Sequence, residues 1–151
     1  MVPTNMIMDD VEHANNLFLE RKITKAIELY SKILKINPQN LIVLNNIGYA
    51  LSKLKKFDQA LEYYERSLQI ESNDKIVMIN KISLFRKMGR IIDALNLSDE
   101  ILEKHPNELI VLYHKLRLLK KLNRITESNK ICKKILNVYP SNIEIQNELI
   151  K

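Results

Sequence analysis

The sequence predicts an all-α chain, an array of four helix hairpins closed by a short C-terminal helix. Three observations carry that expectation. First, the chain repeats itself at a period of 34 residues, which brings Pro38, Ser72, Pro106 and Pro140 into register. The same shift aligns Ala26, Ala60, Ala94 and Ser128, then Tyr30, Tyr64, Ser98 and Cys132, then Ile23, Phe57, Ile91 and Ile125. Second, each period holds two segments of helix length with apolar residues at i, i+3, i+4 and i+7, the mark of one buried face. Third, the 151 residues include two glycines and four prolines, too few for the turns of a β-rich chain.

The units span 7–40, 41–74, 75–108 and 109–142. Residues 143–151 read as the closing helix, residues 1–6 as an irregular or disordered start, and 7–151 as one domain. In the second unit Leu44, Ile47, Ala50, Leu51 and Leu54 mark the first helix. Phe57, Ala60, Leu61, Tyr64 and Leu68 mark the second, with Asp58 placed to favour its N-terminal dipole. The hairpins break at Arg21–Lys22, Lys55–Lys56, Gly89–Arg90 and Asn123–Arg124, where Gly and Asn suit a left-handed helix end. The prolines fall where the chain leaves one hairpin for the next. Each hairpin has an apolar face that it cannot bury alone, and stacking covers it. Nine residues make a brief cap, so the C-terminal end is expected to stay partly open and to offer a route to self-association.

These residues resemble the tetratricopeptide repeat family, whose pattern is Trp-x2-Leu-Gly-x2-Tyr, then Ala-x3-Phe, then Pro. The second unit fills it with Leu44, Ile47, Gly48, Leu51, Ala60, Tyr64 and Ser72, and the first with Asp10, His13, Ala14, Leu17, Ala26, Tyr30 and Pro38. The third gives Met78, Lys81, Ile82, Phe85, Ala94, Ser98 and Pro106. The fourth gives Leu112, Lys115, Leu116, Leu119, Ser128, Cys132 and Pro140. The resemblance covers nearly the whole chain and implies a right-handed α-α superhelix, or solenoid. Gly48 and Ala60 would lie where two helices cross closely, and Ile82 and Leu116 at Gly48's position predict a wider crossing in the later units.

The family binds peptides and proteins on a concave surface lined by the first helix of each hairpin. Carried over, that surface takes Met8, Val11, Glu12, Asn15 and Phe18 from the first unit, and Asn45, Asn46, Tyr49, Ser52 and Lys53 from the second. The third supplies Ile79, Asn80, Ser83, Arg86 and Lys87, and the fourth Tyr113, His114, Arg117, Lys120 and Lys121. The candidate peptide-binding residues among them are Asn15, Asn45, Asn46, Tyr49, Asn80, Ser83, Arg86, Lys87, Tyr113, His114, Arg117, Lys120 and Lys121. Side-chain amides both donate to and accept from an extended peptide, and Asn46 and Asn80 would stand at matching height on neighbouring hairpins. The basic cluster suits carboxylates or phosphates. The clamp with which chaperone-binding members hold a terminal carboxylate is missing. On units one to three its positions are Val11, Asn15, Asn46, Ile76 and Asn80, and on units two to four Asn45, Tyr49, Asn80, Ile110 and His114.

Charge is concentrated in one unit. Of the formal net +6, residues 109–142 carry +7, from eight basic residues and one acidic, while the other units lie between −1 and +1. No phosphate loop, dinucleotide fingerprint, HExxH or GxSxG occurs, and His13, His105 and His114 lie in different units. The expectation is a non-enzymatic protein without cofactor or metal. Cys132 reads as a small core residue, and Glu62, Glu65, Glu100 and Glu103 read as solvated helix faces. A lone cysteine excludes an intramolecular disulfide and points to a reducing compartment. No apolar run approaches the ~20 residues of a membrane span, and the first residues lack a basic signal-type start. The reading is therefore a cytoplasmic adaptor that binds a protein or peptide segment, acidic where it meets the fourth unit. Two alternatives stay open. One is a helical-repeat RNA binder, disfavoured by three near-neutral units and few aromatics for base stacking. The other is a self-associating structural array.

Overall fold

Helices recur at the period that the sequence sets. The computed structural model describes residues 4–149. It shows α1 (Thr4–Leu19), α2 (Ile23–Ile36), α3 (Leu41–Lys53), α4 (Phe57–Ile70), α5 (Lys75–Met88), α6 (Ile91–Lys104), α7 (Leu109–Lys121), α8 (Ile125–Val138) and α9 (Ile143–Leu149). Among the described residues there is no strand. The helices α2, α4, α6 and α8 start 34 residues apart, and so do α3, α5, α7 and α9. Of the segment expected to be irregular, residues 1–3 lie outside the described residues and Thr4 already opens α1. Residues 150–151 of the closing segment also lie outside them.

The chain divides into two compact units, Met1–Val77 and Met78–Lys151. In the first, α1 packs on α2, α2 on α3 and α3 on α4. In the second, α6 packs on α7, α7 on α8 and α8 on α9.

Each hairpin turns in the same way. Arg21, Lys55, Gly89 and Asn123 have φ of 62°, 61°, 77° and 55°. The next amide then donates back across the helix end: Lys22 to Leu17 (2.9 Å), Lys56 to Leu51 (3.0 Å), Arg90 to Phe85 (2.9 Å) and Arg124 to Leu119 (3.0 Å). This Schellman arrangement satisfies carbonyls that the helix leaves open. The breaks fall where the sequence places them. Left-handed backbone costs an L-residue with a β-carbon about 1–2 kcal/mol, so at Arg21 and Lys55 the hairpin packing imposes it.

Helix starts repeat at the same period. Asn40 Oδ1 accepts from the Val43 amide at 3.1 Å, and Asp74 Oδ1 from Ile76 and Val77 at 2.9 and 3.2 Å. Asn142 Oδ1 accepts from Ile145 at 3.1 Å. These are N-caps at a 34-residue register. Glu108 holds the same register on α7 and makes no side-chain cap.

Inside the hairpins, size is exchanged between partners. A β-carbon on Gly48 would lie 2.5 Å from Tyr64 Cε1, so the ring of α4 fills the space that glycine leaves on α3. Ala14 and Tyr30 hold the same two positions in residues 7–40, and all four residues are buried. In the later units the order reverses: Ile82 and Leu116 stand at Gly48's position, and Ser98 and Cys132 at Tyr64's, all buried. The volume added to the first helix, which suggested a wider crossing, is matched by volume lost from the second.

Candidate functional site

The first compact unit, Met1–Val77, brings Asn15, Asn46 and Tyr49 together. Asn15 lies on α1, and Asn46 and Tyr49 on α3. With Phe18, Leu19 and Tyr30 they line an open cavity of about 310 Å³. Its polar end is an amide pair. Asn15 Oδ1 accepts from Tyr30 Oη at 2.5 Å and from Asn46 Nδ2 at 2.9 Å. Burial pushes the Tyr30 phenol upward, which keeps it a donor. The Asn15 amide nitrogen and the Asn46 carbonyl remain for another donor–acceptor pair, the requirement of one peptide unit. The apolar end is formed by two rings, Phe18 and Tyr49, with centroids 5.5 Å apart and planes tilted by 50°. Tyr49 is 38% exposed although it packs on Phe18, and Lys53 Nζ stands 5.0 Å from its centroid. The cavity has the size for one large side chain. Asn45 is half-buried on α3, outside the cavity lining.

By sequence, Tyr30 has a place in the repeat pattern and not on the binding surface, yet its hydroxyl belongs to this site. The signal was present. The pattern asks for Phe at that position, and a buried phenol needs a partner for its hydroxyl.

The second compact unit, Met78–Lys151, holds the remaining candidates. Asn80, Ser83 and Arg86 are half-buried and Lys87 is exposed, all on α5. On α7, Tyr113 and His114 are half-buried, while Arg117, Lys120 and Lys121 are exposed. They do not form one equivalent basic face. Lys120 Nζ lies 2.5 Å from Glu148 Oε2, so α9 already supplies its carboxylate. The Tyr113 hydroxyl accepts from Asn142 Nδ2. Two of the residues expected to meet a partner thus hold the closing helix. Arg117 and Lys121 make no ion pair among the described residues.

The His114 pKa is lowered by burial first, and by the Arg86 and Arg117 cations beside it. The Cys132 thiol is pushed up by burial and by the Glu148 carboxylate, whose Oε2 lies 3.8 Å from its sulfur. A raised thiol is a poor nucleophile. Among the described residues no three His, Cys, Asp or Glu side chains come together to hold a metal ion, and no helix is long and apolar enough to cross a membrane.

Residues 42–74 match the tetratricopeptide repeat family. No curated protein matches the chain. Among solved structures, a tetratricopeptide repeat protein from Parabacteroides merdae is similar, with 21% identity and a TM-score of 0.85. That match covers 93% of this chain and 56% of the other, so this chain spans little more than half of it. MamA from Desulfovibrio magneticus is 13% identical with a TM-score of 0.81, over 95% of this chain and 81% of that one. YrrB, described as a repeat protein of this kind with an unusual peptide-binding site, is 17% identical with a TM-score of 0.76, over 91% and 71%.

Proposed function

We propose that this chain, whose residues 42–74 are a tetratricopeptide repeat and whose fold is that of tetratricopeptide-repeat proteins, is a non-enzymatic scaffold that binds an extended segment of a partner protein. The observation that carries the reading is the first unit's cavity. Phe18 and Tyr49 offer apolar walls, and Asn15 and Asn46 hold out one donor and one acceptor at its end. An apolar side chain of the partner enters between the rings while its peptide unit meets the two amides. The second compact unit contributes a basic surface, Arg86, Lys87, Arg117 and Lys121, for an acidic part of a partner. YrrB's described peptide-binding site supports the reading by analogy of fold. The chain then works as an adaptor in the cytoplasm.

Selection of a displayed library of random linear peptides on the purified chain tests this. Enriched peptides should share an apolar residue. They should bind Tyr49→Ala and Asn46→Ala at least about tenfold more weakly, the cost of losing a hot-spot contact. Enriched peptides that bind both variants as well as the parent would contradict the reading, and so would a library that yields no binder.

A further inference from the structure

Residues of α2, α3 and α4 in the first compact unit line a second groove, of about 330 Å³, which shares no lining residue with the cavity of Asn46 and Tyr49. Leu51 and the fully buried Ile47 lie at its bottom, and Ile27, Leu54 and Tyr63 present apolar surface above them. Its walls carry Glu28 on α2 and Glu62 on α4, one repeat apart. Both are exposed, and neither makes an ion pair among the described residues. Lys56 is the lining's one cation, so two carboxylates against one ammonium leave the groove negative. The second compact unit has the same groove two repeats later, and there the chain fills it itself. Leu95, Leu119 and Arg124 stand where Ile27, Leu51 and Lys56 do. Lys115 replaces Ile47, with its side chain 19% exposed and its ammonium on Asp99, and Arg124 meets Glu127 at 2.5 Å. That groove holds only about 160 Å³.

We propose that the open groove of the first compact unit binds a lysine side chain of a partner protein. Its methylene stem lies against Ile27, Leu54 and Tyr63, and Glu28 and Glu62 share its ammonium. Lys115 shows the mode of binding in the related groove: a long basic side chain keeps its stem among apolar residues and its charge on a carboxylate at the edge. Ile47 and Ser31, at the positions of Lys115 and Asp99, supply neither partner of that pair, so in the first unit the cation has to come from another chain. Lysine fits better than arginine. An ammonium donates in three directions and can serve carboxylates on two helices, whereas the planar guanidinium pairs best with one. The site lies on the second helices of two hairpins and does not depend on the peptide cavity, so one partner can occupy each.

The test is methyl and aromatic NMR of the full chain titrated with the blocked tripeptide Ala-Lys-Ala. Blocked Ala-acetyllysine-Ala and Ala-Glu-Ala serve as the other arms. The lysine peptide should shift the Ile27 and Leu54 methyls and the Tyr63 ring, and bind about tenfold more tightly than the acetylated one, while the glutamate peptide leaves those signals unmoved. Glu28→Gln and Glu62→Gln should each weaken binding about threefold, and together about tenfold, with helical circular dichroism unchanged. Thr24→Trp, at an exposed position of the wall, should fill the groove and remove the shifts while both carboxylates remain. An acetylated or glutamate peptide that binds as tightly would overturn the site. So would shifts that survive the double variant, or none at Ile27 and Leu54 at millimolar peptide. Tyr49→Ala should leave this binding unchanged, so failure here and failure of the peptide cavity are separate results.

Discussion

Gly48 and Tyr64 share a volume that cannot be divided differently. The ring is 1% exposed, so it has nowhere to retreat from a methyl group set 2.5 Å from Cε1. Gly48→Ala should destabilise the chain by about 1–3 kcal/mol, the usual cost of overpacking, as read from the urea midpoint. A neutral or stabilising result would contradict the packing, since in an uncrowded helix alanine is favoured over glycine. Gly48 was legible as a point of close approach because glycine in the interior of a helix needs a reason. The atom it approaches was not legible: the nearest atoms belong to the ring of Tyr64, one turn beyond Ala60 on the same helix. Which of two residues on a partner helix fills a gap depends on side-chain direction, which spacing does not carry. The same limit hid Tyr30, whose hydroxyl reaches Asn15.

At the scale of elements, the 34-residue period set the helices, their turns and the phase of the closing helix. α9 begins 34 residues after α7, and Ile145 is buried as Val43, Val77 and Val111 are. It therefore lies in the register of a first helix. Turn positions were legible from Gly89 and Asn123. At Arg21 and Lys55 only the repeat, not the residue type, betrays the left-handed backbone. The caps at Asn40, Asp74 and Asn142 were readable in principle, since all three are N-cap residues at one register. What holds α9 is concentrated at Asn142, which caps Ile145 and donates to Tyr113, and at Glu148, which meets Lys120. Asn142→Ala should cost about 1 kcal/mol locally. The amide of Gln146, which donates to the Asn142 carbonyl at 3.0 Å, should then exchange with solvent roughly fivefold faster. Unchanged protection would show that Ile145 alone holds the helix.

For the whole molecule, net charge located the basic unit correctly and overstated how much of it is available to a partner. Lys115, Lys120 and Arg124 face carboxylates of their own chain. A formal count cannot distinguish a paired cation from an open one. Stability should also depend on pH through His114. Its folded pKa is lowered by burial and by Arg86 and Arg117. Below the ordinary value of about 6.5 the unfolded chain therefore takes a proton that the folded chain refuses. Stability from this group is full above that pH and is lost as pH falls towards the folded pKa. Urea unfolding at about pH 7.5 and about pH 5.5 should show a loss on acidification that His114→Gln reduces. An equal loss in the variant would assign the effect to other groups.

On the proposed function, the amide and aromatic side chains of the first compact unit hold a partner's peptide. Amide NMR of the chain, titrated with a library-selected peptide, addresses it most directly. The side-chain NH2 signals of Asn15 and Asn46 should shift together with the backbone signals of Phe18, Leu19 and Tyr49. Shifts confined to α2 and α4, with the signals of Asn15, Asn46 and Tyr49 unmoved, would contradict it.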